Sequence, residues 1–231
     1  MDIRYEPVVW MQTKGAKAYL VGNQSRSRLM KDSKDLNDID IATSALPYQV
    51  VAVLHRQKII PTQVNRNFGV VSFKWQGSEY EVTTFRQDIY DAEFDHIKRT
   101  PRKIVFTEDL VLDAQRRDFT INAIYFNPKT GKINDPVNGV ADLKNKILRF
   151  IGDGELRIKE DPVRVLRAVR FKCSLGLKYA PETAKALKKW GHLVHRLSST
   201  NLKKEFQKIN TLPNQKAARQ ELQKFGVVIR Y

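Results

Sequence analysis

The chain contains one cysteine, Cys173, which excludes an internal disulfide framework and a cysteine-built zinc site. No stretch approaches the roughly 18 uninterrupted apolar residues that a spanning helix needs. The opening MDIRYEPVVW lacks the apolar core of a secretory leader. Acidic residues are scarce, with 25 Asp and Glu against 41 Lys and Arg, for a net charge of +16. Such an excess points to a polyanionic partner and says nothing of the fold. With 11 Gly, 9 Pro and 42% hydrophobic side chains in 231 residues, the chain has the composition of a folding protein. The expectation is a soluble, cytoplasmic protein, away from membranes, that binds nucleic acid.

The charge is uneven. Residues 1–150 hold 23 basic against 18 acidic residues, and residues 151–231 hold 18 against 7, a net of +11 in a third of the length. A solvated lysine-rich surface would also look like this. Sequence pattern predicts a helix over Tyr5–Lys17 and a short strand in AYLVGN (18–23), followed by a helix over Gln24–Lys31. A polar loop spans Lys31–Asn37. DIDIAT (38–43) alternates with period two, as a half-buried strand does. Pro47–His55 reads as an amphipathic helix, and Gly69–Trp75 with Glu79–Phe85 as a hairpin turning at Gln76-Gly77-Ser78. Gln87–Pro101 reads as a mobile loop, Leu110–Ala123 as a helix, and YFNPKTGKINDP as strand, turn and strand. From Asp161 helices dominate: Asp161–Ser174, Pro181–Leu193, Leu202–Ile209 and Asn214–Phe225. The fold class expected is α+β, with an α/β domain over 1–150 and an all-α domain over 151–231.

Asp38 and Asp40 stand one residue apart on a strand, so their carboxylates share a face. Paired carboxylates seat hard divalent cations such as Mg²⁺, which serve phosphoryl transfer. An isolated Asp-x-Asp also arises by chance. Gly22-Asn23 lies at a strand-to-helix turn followed by Arg26, an arrangement suited to a phosphate. Glu81, in EYEVTTF, is either a third carboxylate brought alongside by pairing or an exposed strand residue. In RRDFTINA (116–123), a helix places Arg117, Asp118 and Asn122 near one another. They would meet phosphate and sugar, or form an intrahelical ion pair. In EDPVRVLRAVRF (160–171), Asp161 reads as an N-cap before Pro162 at the first helical position. Arg164, Arg167 and Arg170 recur every three residues beside Val163, Leu166 and Val169. Arginines bordering an apolar seam are costly unless something anionic or planar meets them. Asp161 and Arg164, three apart, can hold one another and offer acceptor and donor atoms to a base edge. A capped helix with a solvated arginine face is the plainer alternative.

In order, LVGNQSRSRLM, DLNDIDIATSALP, EYEVTTFR, RRDFTINAI, INDPVNGVADL, LRFIGD and EDPVRVLRAVRFKCSLGL resemble the bacterial-type (class II) tRNA nucleotidyltransferases and poly(A) polymerases. The resemblance covers about residues 15–225. It implies a polymerase-β-like head with a mixed five-stranded sheet, then a helical neck. It also implies template-independent addition of CMP and AMP, from CTP and ATP, to the 3′ end of tRNA, with the acceptor stem gripped by the basic neck. By position it makes Asp38 and Asp40 the Mg²⁺ ligands and Glu81 the third catalytic carboxylate. Gly22, Asn23, Arg26, Arg117, Asp118 and Asn122 fall on the triphosphate and ribose side; Asp161 and Arg164, assisted by Arg167 and Arg170, read the base. QVNRNFGVVSF resembles the CCA-adding branch, and the segment around Asp88–Pro101, with Tyr90, Asp91, Arg99 and Pro101, resembles the loop needed for the final AMP.

Two departures bear on the site. The family's paired glycines read Gly22-Asn23 here, and its Val-Arg-Asp reads Ser25-Arg26-Ser27, which leaves Arg26 without its acidic neighbour. The chain is also short beside family members that continue into body and tail domains. The alternatives are a poly(A), A-adding or CC-adding polymerase, and a degenerate RNA-binding paralogue.

Overall fold

The computed structural model describes residues 2–30, 37–90 and 100–227. Most of the expected Lys31–Asn37 loop, and Asp91 and Arg99 of the expected mobile loop, lie outside the described residues. The chain forms two compact units, Met1–Ile89 with Lys103–Arg117 and Ile121–Val140, and Tyr90–Arg102 with Asp118–Thr120 and Ala141–Tyr231. No helix among the described residues is long and apolar enough to cross a membrane.

The first unit is built on a mixed sheet. Its strands are β1 (Ala18–Leu20), β2 (Asp38–Thr43), β3 (Gln63–Asn65), β4 (Val70–Trp75), β5 (Ser78–Thr84), β8 (Tyr125–Phe126) and β9 (Ile133–Asn134). Their order is β3-β4-β5-β2-β1-β8-β9, with β2 and β5 parallel. The described sheet thus has seven strands where five were expected, because β3 and β9 add short edges. β2 covers the alternating stretch residue for residue. Ile39 and Ile41 turn into the core, where Val71, Phe73, Tyr80 and Val82 join them beneath the helices α1 (Glu6–Gln12) and α3 (Pro47–Arg56). Phe73 and Tyr80 stack at 4.6 Å, and each such buried ring contributes roughly 1.5–3 kcal/mol. β4 and β5 form the expected hairpin. Its turn residues Gln76 and Gly77 both have positive φ, 48° and 76°, matching the right-handed twist of the strands.

Three expectations need correction here. The first helix stops at Gln12 rather than Lys17, three residues before a left-handed Gly15. The second, α2 (Gly22–Met30), begins two residues earlier than predicted, at the glycine itself. The start of the expected 87–101 loop is strand, β6 (Arg86–Ile89), which pairs antiparallel with β7 (Lys103–Phe106) just past the loop's end. Arg86 anchors β6 through Asp88.

The 110–123 stretch is not one helix. α4 (Leu110–Arg116) ends where Arg117 turns extended, with ψ 164°. Residues 118–120 then pair with the 149–151 stretch: Thr120 donates to the Arg149 carbonyl and Ile151 to that of Asp118. Phe119, fully buried, stacks on Phe150 at 4.9 Å and meets Phe171 edge-on. Burying that ring outweighs continuing the helix.

The described residues of the second unit are mainly helical; besides the 119–150 bridge they hold a two-residue parallel pair, β10 (Ile147–Leu148) with β11 (Lys178–Tyr179). Its helices are α6 (Gly154–Glu160), α7 (Val163–Leu175), α8 (Pro181–Trp190), α9 (Ser199–Asn210) and α10 (Gln215–Lys224); α5 (Gly139–Lys144) precedes them. α7 is central, with α6, α9 and α10 against it. The sequence missed α6 and placed the start of α7 too early. Pro162 is the N-cap of α7 rather than its first residue, and the Asp161 carboxylate accepts the Val163 N–H at 3.1 Å.

Candidate active site

Strand register assembles the acidic centre in the first unit. Asp38 and Asp40 occupy the face of β2 opposite the core, Asp38 exposed and Asp40 half-buried. The parallel ladder sets Glu81 directly beside Asp40 and Glu79 beside Asp38. Sequence reasoning named Glu81 and missed Glu79, whose carboxylate is engaged by Lys74. Burial, reinforced by the Glu81 charge, pushes the Asp40 carboxyl up to about 6; Arg117 and Arg26 pull it down, and Asp38 adds to the rise. Neighbouring carboxylates at one edge repel, and a divalent cation relieves that repulsion. Among the described residues no three His, Cys, Asp or Glu side chains form a ready-made cage. Hard oxygen donors in an open arrangement fit a Mg²⁺-like ion, which is usually held by one or two carboxylates together with substrate phosphates.

Gly22 makes the close approach of Asp40 possible. Its φ is +64°, and a Cβ there would lie 2.7 Å from Asp40 Oδ2. The neighbouring Val21 N–H donates to the Asp40 carbonyl at 3.0 Å. Gly22→Ala is therefore expected to cost about 1–2 kcal/mol of stability through backbone strain. It should also displace the Asp40 carboxylate and so lessen the rise in melting midpoint that a divalent cation gives; thermal melts without and with the cation check the two effects separately. Asn23 follows on the first turn of α2, and Ser25 Oγ donates to the Leu20 carbonyl at 2.7 Å, tying the helix to β1.

The positive side is a second cluster in the same unit. Arg26, 5% exposed, donates through Nη1 to Asn122 Oδ1. The expectation that Ser27 strands Arg26 is thereby corrected, since Asn122 supplies the acceptor. Arg117 reaches the Asn122 carbonyl at 3.5 Å, so Asn122 lies between the two arginines. Sequence reasoning missed what holds Arg117. Fully buried Asp113 accepts from Arg117 Nη2 at 3.0 Å, from Arg116 Nε at 2.8 Å and from Tyr125 OH at 2.7 Å, and Arg117 Nε donates to that hydroxyl. Burial alone would raise Asp113, but Arg117 and Arg116 outweigh it and hold the carboxyl below its usual range. Arg117 is pushed up in turn: Tyr125 and Asp113 overcome the burial that opposes its charge.

The helix expected to align Arg117, Asp118 and Asn122 ends at Arg116, and Asp118 falls in the second unit. In the second unit its carboxylate accepts from Arg167 Nε at 2.7 Å and from the Phe119 N–H. The arginine stripe of α7 does meet anions, but they come from the chain itself. The Arg164 guanidinium donates to Glu160 Oε2 and to the Arg157 carbonyl, at 2.6 and 2.7 Å, while its backbone N–H donates to the Asp161 carbonyl at 3.0 Å. Arg167 has Asp118 and, at 3.6 Å, Glu205; Arg170 has Glu205 at 2.8 Å. Burial would lower the Arg164 pKa, and the hydrogen bond to Glu160 more than restores it. Tyr90 bears electrostatically on Arg157 and Arg164. The acidic spacing of Glu160, four residues before Arg164, was the one signal in the sequence that could have announced its pairing.

Residues 18–149 match the family described as the poly A polymerase head domain. The CCA-adding enzyme of Leuconostoc citreum (strain KM20) is 38% identical over 199 residues, 86% of this chain and 47% of that enzyme. The CCA-adding enzyme of Bacillus subtilis (strain 168) is 37% identical over 209 residues, 90% of this chain and 49% of its own. Among solved structures, the Bacillus stearothermophilus CCA-adding enzyme in complex with CTP aligns with a TM-score of 0.80 at 32% identity, over 95% of this chain and 51% of that one. The chain spans about half the length of the curated relatives it matches. The family match takes in β2, β5 and the Arg117–Asn122 stretch, more than half of the sequence, and the chain belongs to the poly A polymerase head domain family.

Proposed function

We propose that the chain is a template-independent RNA nucleotidyltransferase that adds CMP and AMP, from CTP and ATP, to the 3′ end of tRNA. The observation that carries this reading is the meeting of two opposite clusters at Asp40: carboxylates from β2 and β5 on one side, and the charges of Arg26 and Arg117 on the other. Acid to seat a cation beside base to hold a polyphosphate is what transfer from a nucleoside triphosphate requires. The relatives named as CCA-adding enzymes, one of them in complex with CTP, support it.

In this reading residues 1–150 form the catalytic head and residues 151–231 the neck. The RNA 3′ hydroxyl attacks the α-phosphate and pyrophosphate leaves. Asp38 and Asp40 would hold Mg²⁺, with Glu81 alongside. When bound, the ion stabilises charge building on the phosphate oxygens. Arg117 holds the triphosphate with a guanidinium whose direction is set by Asp113 and Tyr125, so little ordering remains on binding. Arg26, set by Asn122, presents a second cation, and the Gly22-Asn23 turn offers backbone N–H groups at the start of α2. Asp161 and Arg164 are assigned the choice between CTP and ATP. Glu160 fixes the Arg164 guanidinium, which favours recognition of one hydrogen-bond pattern over another. Arg167 and Arg170 support them from α7, and Asp118 acts through Arg167.

Incubation with Mg²⁺ and tRNAs ending at the discriminator base, at C or at CC, tests the proposal, with CTP and ATP offered separately and together. Addition that stops after CCA is expected for the wild type, and Arg164→Ala should blur the choice of nucleotide by about ten-fold or more, the scale of one charge-assisted hydrogen bond. A long A tail would place the chain with the polymerase branch. Bound tRNA with no incorporation would overturn the reading.

A further inference from the structure

The edge of the first unit's sheet carries a groove that the transfer reaction does not use. Its position follows from the strand register. Asp40 pairs with Glu81, Glu81 with Ser72, and Ser72 with Gln63; one step along, Ile41 pairs with Val82, Val82 with Val71, and Val71 with Val64. Directly paired residues share a sheet face. Val64 therefore belongs to the apolar face beneath α3, and the carboxylates belong to the other. At this edge Tyr48 and Val51 of α3, with Val64, Arg66, Gln63 and Asn67, line a groove of about 600 Å³.

Two properties of the groove point to one kind of occupant. Its apolar part is exposed: Tyr48 is 66% accessible and Val64 41%, with Ile60 nearby in the chain at 82%. None of its lining residues is acidic. Residues 41–78 contain neither Asp nor Glu, yet carry Arg56, Lys58, Arg66 and Lys74. Lys74 is engaged by Glu79, whereas Arg56, Lys58 and Arg66, all exposed, form no ion pair among the described residues. An apolar helix or strand without acidic side chains would use the apolar wall and leave these cations without counter-charge. Unpaired RNA uses all of it. Bases stack on an exposed aromatic ring, base edges meet an amide side chain such as Asn67, and phosphates meet Arg66 and Lys58.

We propose that the groove between α3 and β3 is a second RNA contact, which takes a short unpaired stretch of the substrate on the face of the sheet opposite the carboxylates. It rests on the reading of the chain as an RNA nucleotidyltransferase and adds a binding surface distinct from the transfer site.

The test uses the full chain and a fluorescein-labelled oligouridylate containing 4-thiouridine, read by anisotropy and by photocrosslinking. Tyr48→Ala should weaken binding about five- to hundred-fold, the loss of one stacked base. Arg66→Glu should weaken it and lower the salt dependence by about one phosphate contact. Crosslinks should map to residues 47–67. Both side chains are exposed, so the fold should survive either change. Asp40→Asn, run in parallel, should lose CMP incorporation and keep its RNA affinity. Binding by both groove variants within about two-fold of wild type, crosslinks confined to other segments, or no binding by the wild type would each overturn the groove proposal. Failure of the wild type to incorporate nucleotides, with groove variants still weakened, would overturn the function and leave the groove standing.

Discussion

Replacing Asp40 by Asn is expected to lower CMP incorporation by at least about a thousand-fold while leaving the protein folded. The magnitude follows from the several kcal/mol that a correctly seated divalent ion supplies to phosphoryl transfer. Asp40 is the carboxylate on which the site converges: Glu81 stands beside it, Gly22 makes room for it, and Arg26 and Arg117 both act on it. The variant removes one member of a set of like charges. Without metal it should melt no lower than wild type at neutral pH, and Mg²⁺ should raise the midpoint of the wild type more than that of the variant. Single-turnover incorporation and thermal melts with and without Mg²⁺ read the two effects. Activity within about ten-fold of wild type would remove Asp40 from the reaction.

The largest loss of stability is expected at Asp113, which touches no substrate in the proposed reaction. Its carboxylate is fully buried and compensates Arg116 and Arg117, which are themselves 13% and 14% exposed. Asp113→Ala leaves two largely buried guanidinium groups without that charge, a change that costs about 3–5 kcal/mol. For a chain of this size that is a fall in melting midpoint of about 10 °C. The pH dependence provides a separate check. Asp113 is held below its ordinary value of 3.8, so its stabilisation is present above about pH 4 and is lost as pH falls through the folded-state value. The gap between wild type and Asp113→Asn should narrow on acidification. A gap that stays constant with pH would mean that packing, and not charge, explains the residue's burial.

These expectations rest on elements of unequal legibility. Strand β2 was fully readable, because Asp38-Ile39-Asp40-Ile41 alternates and a strand obeys that period whatever surrounds it. The hairpin was readable from Gln76-Gly77, whose positive φ values few other pairs adopt at low cost. The break after Arg116 was not. Residues 110–123 carry no Gly or Pro, and what ends the helix is a bridge to residues 149–151 and the burial of Phe119, both remote in sequence. The same reason hid the fate of the arginine stripe: Glu205 lies 35 residues from Arg170 and Asp118 49 from Arg167. The pairing of β6 with β7 escaped because neither strand alternates clearly. Periodicity reports local preference, whereas charge compensation is settled by the partners the fold delivers.

The parallel pairing of β2 with β5 also bears on folding fidelity. A slip of one residue in that ladder would drive Asp38 and Asp40 into the apolar side of the sheet and expose Ile39 and Ile41 to water. The pattern that builds the acidic cluster therefore penalises misaligned intermediates, so an almost-correct sheet has no comfortable resting state. Accuracy of assembly and the paired carboxylates are written into the same six residues.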